Sequence, residues 1–212
     1  RVNVRMRRNA GSGPVDSSNH LLTWGVGVFL PKRAVTDPVG PRTPGRKGRL
    51  VRTPQSKIMS LAEAVSWRDR LHAAGEEMAI TNGCFDLLHR GHVEYLSRAR
   101  ALGARLLVAV NSDASVSRIK GPTRPVVKEG DRAYMLASLE AVDSVVVFDT
   151  PTALDLLKVL VPDLYVKGGD YTVDTLVREE YEFLTSAGCR VELLPLVAGF
   201  STTDVIKQVK GD

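Results

Sequence analysis

From Lys57 onward the sequence alternates between two kinds of segment, and that alternation decides what the chain can fold into. Short apolar runs of strand length are separated by longer stretches in which apolar residues recur at helical spacing. Ser60 opens the first helical stretch, and Glu63 three residues on completes a capping box. Leu61, Val65 and Leu71 carry an apolar stripe to about Ala74, where Gly75 ends it. Strands are expected over Met78–Thr81, Arg105–Val110, Ser144–Phe148, Leu164–Lys167 and Arg190–Leu194. Helices are expected over Gly91–Leu102, Asp131–Ala141, Thr152–Leu160 and Val173–Ala187, with a last one over Thr202–Val209. Strand cores such as Leu106–Val110 have no polar face, so both sides of the sheet must be covered. The expected fold is α/β, a Rossmann-like doubly wound parallel sheet of about five strands. Such sheets bind ligands beyond the carboxyl ends of their strands, where the strand order reverses. Chemistry is therefore sought just after each strand.

Residues 1–56 read differently. They are rich in Gly, Pro, Arg and Ser and show no sustained period, which predicts a disordered basic extension ahead of a domain at 57–212. Residues 1–57 hold twelve Lys or Arg against Asp16 and Asp37, a surplus of ten; set against the overall +5, this leaves the remaining 155 residues five negative. The basic character belongs to the extension, so it does not point to a nucleic-acid-binding domain, and no nucleic-acid partner is expected. No apolar run approaches the roughly 20 residues of a membrane span, and Leu21–Leu30 is too interrupted for a secretory signal. Two cysteines, Cys84 and Cys189, make no disulfide framework or zinc spacing, which suits a reducing cytoplasm.

The first strand ends in Thr81-Asn82-Gly83-Cys84-Phe85-Asp86-Leu87-Leu88-His89-Arg90-Gly91-His92. Gly83 lets backbone approach a ligand, and Gly91 does so at a helix start, where N–H groups favour phosphate. His89 and His92 bracket that point and can donate hydrogen bonds to phosphate oxygens as charge builds in a transition state. After the second strand, Arg118, Lys120 and Arg124 are expected in a Gly- and Pro-containing loop able to close over phosphates. Asp113 stands ahead of them, either against substrate or as a helix cap. Gly168-Gly169-Asp170 follows the fourth strand, a turn that lets backbone approach a base or ribose. Ser201-Thr202-Thr203 precedes the last helix, where hydroxyls and N–H groups form a phosphate site or an ordinary cap.

His89-Arg90-Gly91-His92 resembles the HxGH signature of the nucleotidylyltransferase superfamily, and the run from Thr81 to Arg100 resembles its cytidylyltransferase-like branch. The runs from Asn111 to Val127, Leu139 to Asp143 and Pro162 to Tyr171, with Ser201–Thr203, resemble the family of D-glycero-β-D-manno-heptose 1-phosphate adenylyltransferases. Those enzymes form ADP-heptose, a lipopolysaccharide core precursor. The resemblance covers about Lys57 to Val209, and with no kinase domain ahead of it the expected form is the single-function one. It implies that His89 and His92 stabilise the transferring α-phosphate, with Lys120 and Arg132 on phosphates. It implies that Asn82, Gly83 and Phe85 lie against the nucleotide, with Asp86 organising their turn. Gly168, Gly169 and Asp170 would line the nucleoside pocket, and Ser201, Thr202 and Thr203 would hold the β- and γ-phosphates. It further implies ATP and a sugar 1-phosphate as substrates, Mg²⁺ held mainly by substrate phosphates, no protein-bound metal, and a homo-oligomer. One departure is visible: cytidylyltransferases tend to carry an Arg-Thr-Glu-Gly lead where this chain reads Val197-Ala198-Gly199-Phe200, which argues against CTP. The alternatives are a cytidylyltransferase acting on glycerol 3-phosphate, and a nucleotide-binding module without catalysis.

Overall fold

The computed structural model describes residues 52–169 and 171–195. Chain contacts divide after Gly48, and every described residue lies in the unit Arg49–Asp212. Five strands, β1 (Met78–Gly83), β2 (Arg105–Asn111), β3 (Ser144–Phe148), β4 (Leu164–Gly168) and β5 (Arg190–Leu194), pair in parallel in the order β3-β2-β1-β4-β5. The described helices are α1 (Leu61–Ala73), α2 (Arg90–Arg100), α3 (Asp113–Lys120), α4 (Glu129–Ser138), α5 (Leu154–Leu160) and α6 (Arg178–Ser186). The chain winds outward from β1 through β2 to β3, then returns to the other side of β1 as β4. The reversal opens a crevice between the carboxyl ends of β1 and β4.

Strand side chains alternate between two cores, as a sheet covered on both faces requires. Met78, Ile80, Leu107, Ala109 and Tyr165 pack with Trp67 and Leu71 of α1, Leu157 and Leu160 of α5, and Leu184 of α6. Ala79, Leu106, Val108, Val110 and Val166 face the other way, against Leu96 and Ala99 of α2 and Leu136 and Ala137 of α4. Each buried leucine contributes roughly 1.5–3 kcal/mol. The capping box forms as read: Ser60 Oγ accepts from Glu63 N at 3.3 Å and Glu63 Oε2 accepts from Ser60 N at 2.8 Å. Gly75 follows α1 at φ +70°.

The structure departs from the sequence reading in four places. Residues 113–120 are a helix, not the open loop expected around Arg118 and Lys120. Ser112 caps it by accepting from Ser115 N at 3.0 Å, and with only Ser115 and Val116 buried it shows no apolar stripe to read. The helix expected over Val173–Ala187 breaks into a 3-10 turn at Val173–Thr175 and α6. There Thr172 N donates to Thr175 Oγ1 at 2.8 Å, a local bond that competes with helix continuation. Helix α4 starts at Glu129 and stops at Ser138, because Leu139 turns extended at ψ 137°. The fold also reaches ahead of Lys57: Thr53 caps a 3-10 turn at Pro54–Lys57, and Lys57 Nζ donates to the carbonyls of Leu139 and Val142 at 3.1 and 2.8 Å. The rest of the expected extension, residues 1–51, lies outside the described residues, as does the expected helix over Thr202–Val209. Among the described residues no helix is long and apolar enough to cross a membrane.

Candidate active site

The turn from β1 into α2 builds the centre of the site. Phe85 adopts the left-handed region at φ 45°, unusual for a side chain of its size. That conformation folds its ring back over Gly83, where an added Cβ would meet Phe85 Cε2 at 3.2 Å. The same ring packs on His92, with centroids 5.3 Å apart. His89 is the N-cap residue of α2, extended at φ −136° and ψ 170°, with no side-chain cap bond. Its imidazole stacks on that of His92, with centroids 3.9 Å apart and planes 25° from parallel. Burial lowers the pKa of His89. His92 is pushed down to about 4 by burial, then by its neighbour His89 and by the Lys120 charge. Both rings are therefore neutral near pH 7, and each carries one N–H. His92 Nδ1 is buried with no hydrogen-bond partner among the described residues.

Lys120 is the last residue of α3, which Gly121 terminates at φ +95°. Its charge adds to the lowering of the His92 pKa, after burial and the neighbouring His89, and partly opposes the rise that burial causes at Cys84. The loop after it is tied to the histidine turn through Asp86, which is 1% exposed. Asp86 Oδ1 accepts from Val126 N at 2.7 Å and Val127 N at 3.0 Å, and Oδ2 pairs with Arg124 Nε at 2.8 Å. Asp86 thus organises the turn and clamps the segment behind Lys120.

Several cations expected on phosphate have protein partners in the structure. Arg132 is 0% exposed, and each of its nitrogens is engaged: Nε donates to Val127 O at 2.9 Å, Nη1 to Cys84 O at 2.5 Å and Nη2 to Asp113 Oδ1 at 2.9 Å. It pins the turn to α4 from inside. Asp113 belongs to the same lock: its Oδ1 also accepts from Glu129 N at 2.8 Å, while Glu129 Oε2 accepts from Asp113 N at 2.6 Å. The helix cap does not fall to Asp113, since Ser112 is the cap. Arg118 turns to the carbonyl and carboxylate of Asp149. Arg124 is committed through Nε to Asp86, while its Nη1 is buried without a hydrogen-bond partner among the described residues. A sequence shows that a basic residue follows a strand; it does not show which carboxylate lies across the turn.

At the far side of the crevice, Gly168 ends β4 against Tyr95 of α2. A Cβ there would lie 2.5 Å from Tyr95 Cδ2 and 2.8 Å from Cζ. The close approach that requires glycine is to an internal tyrosine, whose hydroxyl bonds Thr81 Oγ1 at 2.7 Å and Val166 O at 3.0 Å. Gly169 sits at φ +138° and donates its N–H to Leu194 O at 3.1 Å. Gly91 is buried in the first turn of α2. Asp170, Ser201, Thr202 and Thr203 lie outside the described residues.

Sequence reasoning missed one group. Asn82 Oδ1 receives Lys167 Nζ at 2.6 Å and lies 2.7 Å from the Tyr165 hydroxyl, which also lies 3.1 Å from Glu180 Oε2. The period of two along β4 puts Tyr165 and Lys167 on one face, a signal that was available. Nothing local marks Glu180, which reaches the group from α6.

Comparison with known proteins bears on the same residues. A family model described as cytidylyltransferase-like matches residues 80–208. Curated relatives include a bifunctional protein HldE of Syntrophotalea carbinolica, 53% identical over 135 residues, covering 64% of this chain and 27% of that one. Another is the bifunctional protein HldE of Trichlorobacter lovleyi, 39% identical over 203 residues, covering 94% of this chain and 40% of that one. The chain thus spans well under half the length of these relatives. A solved lipopolysaccharide core biosynthesis protein from Thermoplasma volcanium GSS1 aligns at 25% identity and a TM-score of 0.47, covering 57% of this chain and 96% of that one.

Proposed function

Because the chain belongs to the cytidylyltransferase-like family, we propose that it is a nucleotidyltransferase that moves AMP from ATP to D-glycero-β-D-manno-heptose 1-phosphate, giving ADP-heptose and pyrophosphate. The observation that carries this reading is the stacked, neutral His89–His92 pair at the start of α2, beside the switch point and within the field of Lys120. The acceptor phosphate is already a nucleophile, so no protein nucleophile is needed. Its oxygen attacks the α-phosphorus in line, a new P–O bond forms, and the bond to the pyrophosphate oxygen breaks. Neutral imidazole N–H groups donate to the α-phosphate oxygens as negative charge builds, and Lys120 adds a point charge. Burial raises the pKa of Cys84 and keeps its thiol protonated, which supports leaving it out of the chemistry.

Magnesium suits this site as an ion carried by the substrate. The carboxylate of the turn, Asp86, is already engaged by Arg124 and two backbone N–H groups. Bound on the triphosphate, it would neutralise phosphate charge. Both cysteines are free thiols, which supports a reducing cytoplasm. The choice of adenine and heptose rests on the runs Asn111–Val127 and Pro162–Tyr171. Pyrophosphate release tests it, with ATP, CTP, GTP or UTP offered against heptose 1-phosphate and glycerol 3-phosphate, and a His92→Ala control. Turnover with ATP and the heptose, abolished in the control, is expected. Turnover confined to CTP and glycerol 3-phosphate would overturn the substrate, and none with any pair would overturn the reaction.

A further inference from the structure

At the carboxyl ends of β1 and β4 stands a polar network that the reaction above does not use. Two residues beyond the Ile80–Tyr165 pair, β1 presents Asn82 and β4 presents Lys167. Lys167 Nζ donates to Asn82 Oδ1 at 2.6 Å and to the Tyr165 hydroxyl oxygen at 3.0 Å. It also stands 5.5 and 5.4 Å from the ring centroids of Tyr165 and Tyr171. Behind Tyr165 lies Glu180, 2% exposed, whose Oε1 accepts from Ala153 N at 2.7 Å. A buried ammonium is costly unless compensated; burial lowers the pKa of Lys167, and Glu180 opposes that shift.

This arrangement settles how Asn82 points. A carboxamide has one accepting end and one donating end. With Oδ1 held by the ammonium and the phenol, Nδ2 faces away from both, and Asn82 is half-buried at the mouth of the crevice. We propose that Lys167, backed by Tyr165 and Glu180, is a positioning residue that locks the Asn82 carboxamide with both Nδ2 protons directed at an oxygen of a bound nucleoside triphosphate. The ammonium itself works through Asn82. The proposal rests on the nucleotide half of the function above and is independent of the acceptor sugar.

Calorimetric titration of the full chain with ATP and Mg²⁺ tests it, alongside thermal unfolding of each variant. Asn82→Ala should weaken binding about 10- to 100-fold, the range for a hydrogen bond to a charged group. Lys167→Met should weaken it nearly as much, and the double variant no more than either alone. Additive losses, or unchanged affinity in Lys167→Met, would overturn the proposal. Should Lys167→Met not fold, Asn82→Asp gives an independent reading. It keeps the bond to Lys167 and so the melting temperature, yet replaces the donating end with a carboxylate and should lose at least ten-fold in affinity. Wild-type affinity in Asn82→Asp would overturn the proposal as well. A wild-type chain that bound none of the four nucleoside triphosphates would overturn the nucleotide reading and this one together, whereas normal wild-type binding with an unaffected Lys167→Met overturns this one alone.

Discussion

Replacing Gly168 with alanine tests how tightly the crevice is built. The added methyl would stand 2.5 and 2.8 Å from Tyr95 ring carbons, where carbon atoms settle at about 3.5–4.0 Å. Either the ring or β4 must withdraw by roughly an ångström. The ring is not free to move, because its hydroxyl is held by Thr81 on β1 and the Val166 carbonyl on β4. Losing those two bonds costs about 1 kcal/mol each, and overpacking adds about 1–3 kcal/mol. Against this, alanine recovers about 0.4–1 kcal/mol from the unfolded chain, since Gly168 is not in the left-handed region. The net expectation is a loss of about 2–4.5 kcal/mol, measured by urea unfolding followed through tryptophan fluorescence. In a Tyr95→Ala background the same substitution should be close to neutral, so the coupling energy should nearly equal the whole penalty. Because Tyr95 and His92 lie three residues apart on α2, displacement of one shifts the other, so pyrophosphate release should fall at least about ten-fold in folded protein. A penalty below about 0.5 kcal/mol, or an equal penalty without the Tyr95 ring, would refute the packing argument.

Three further expectations follow from the site. His89→Ala and His92→Ala should each lower kcat by about 10²–10³ with little change in melting temperature, since each removes one donor to the transferring phosphate; wild-type turnover in either would remove the imidazole pair from the mechanism. His92 sits at about 4 in the folded chain against an ordinary 6.5, so protons favour the unfolded state as pH falls. Stability should be full above pH 6.5 and decline between 6.5 and 4 by up to about 3 kcal/mol; urea unfolding at several pH values should show a flatter profile in His92→Gln, and parallel profiles would count against it. Arg132→Met should cost about 3 kcal/mol by stripping two backbone carbonyls and Asp113 of their donor, whereas a phosphate contact would instead raise the nucleotide KM at unchanged melting temperature.

The sheet was legible because its strands are apolar on both faces and its helices carry stripes. Leu106–Val110 could be little other than a buried strand, and Ser60 with Glu63 marked a helix start three residues wide. Helix α3 escaped because Asp113–Lys120 buries almost nothing, so its cap at Ser112 was its main signal. Within the site, the nearness of His89 to His92 was legible because one turn of sequence carries both. The carboxylate partners of Arg118, Arg124 and Arg132 (Asp149, Asp86 and Asp113) were not legible, because they are set by tertiary contact, and a cation looks the same in sequence whether it faces solvent, substrate or a buried carboxylate. The tie between Lys167 and Glu180 depends likewise on how α6 packs.

The sheet also acts as a partition. Helices α2 and α4, with the imidazole pair and the Arg132 lock, cover one face; α1, α5 and α6, with Glu180 and the residues behind Lys167, cover the other. On the proposed function, changes confined to the second face would act on Asn82 only through Lys167, Tyr165 and Glu180, and would leave the packing around the imidazole pair untouched.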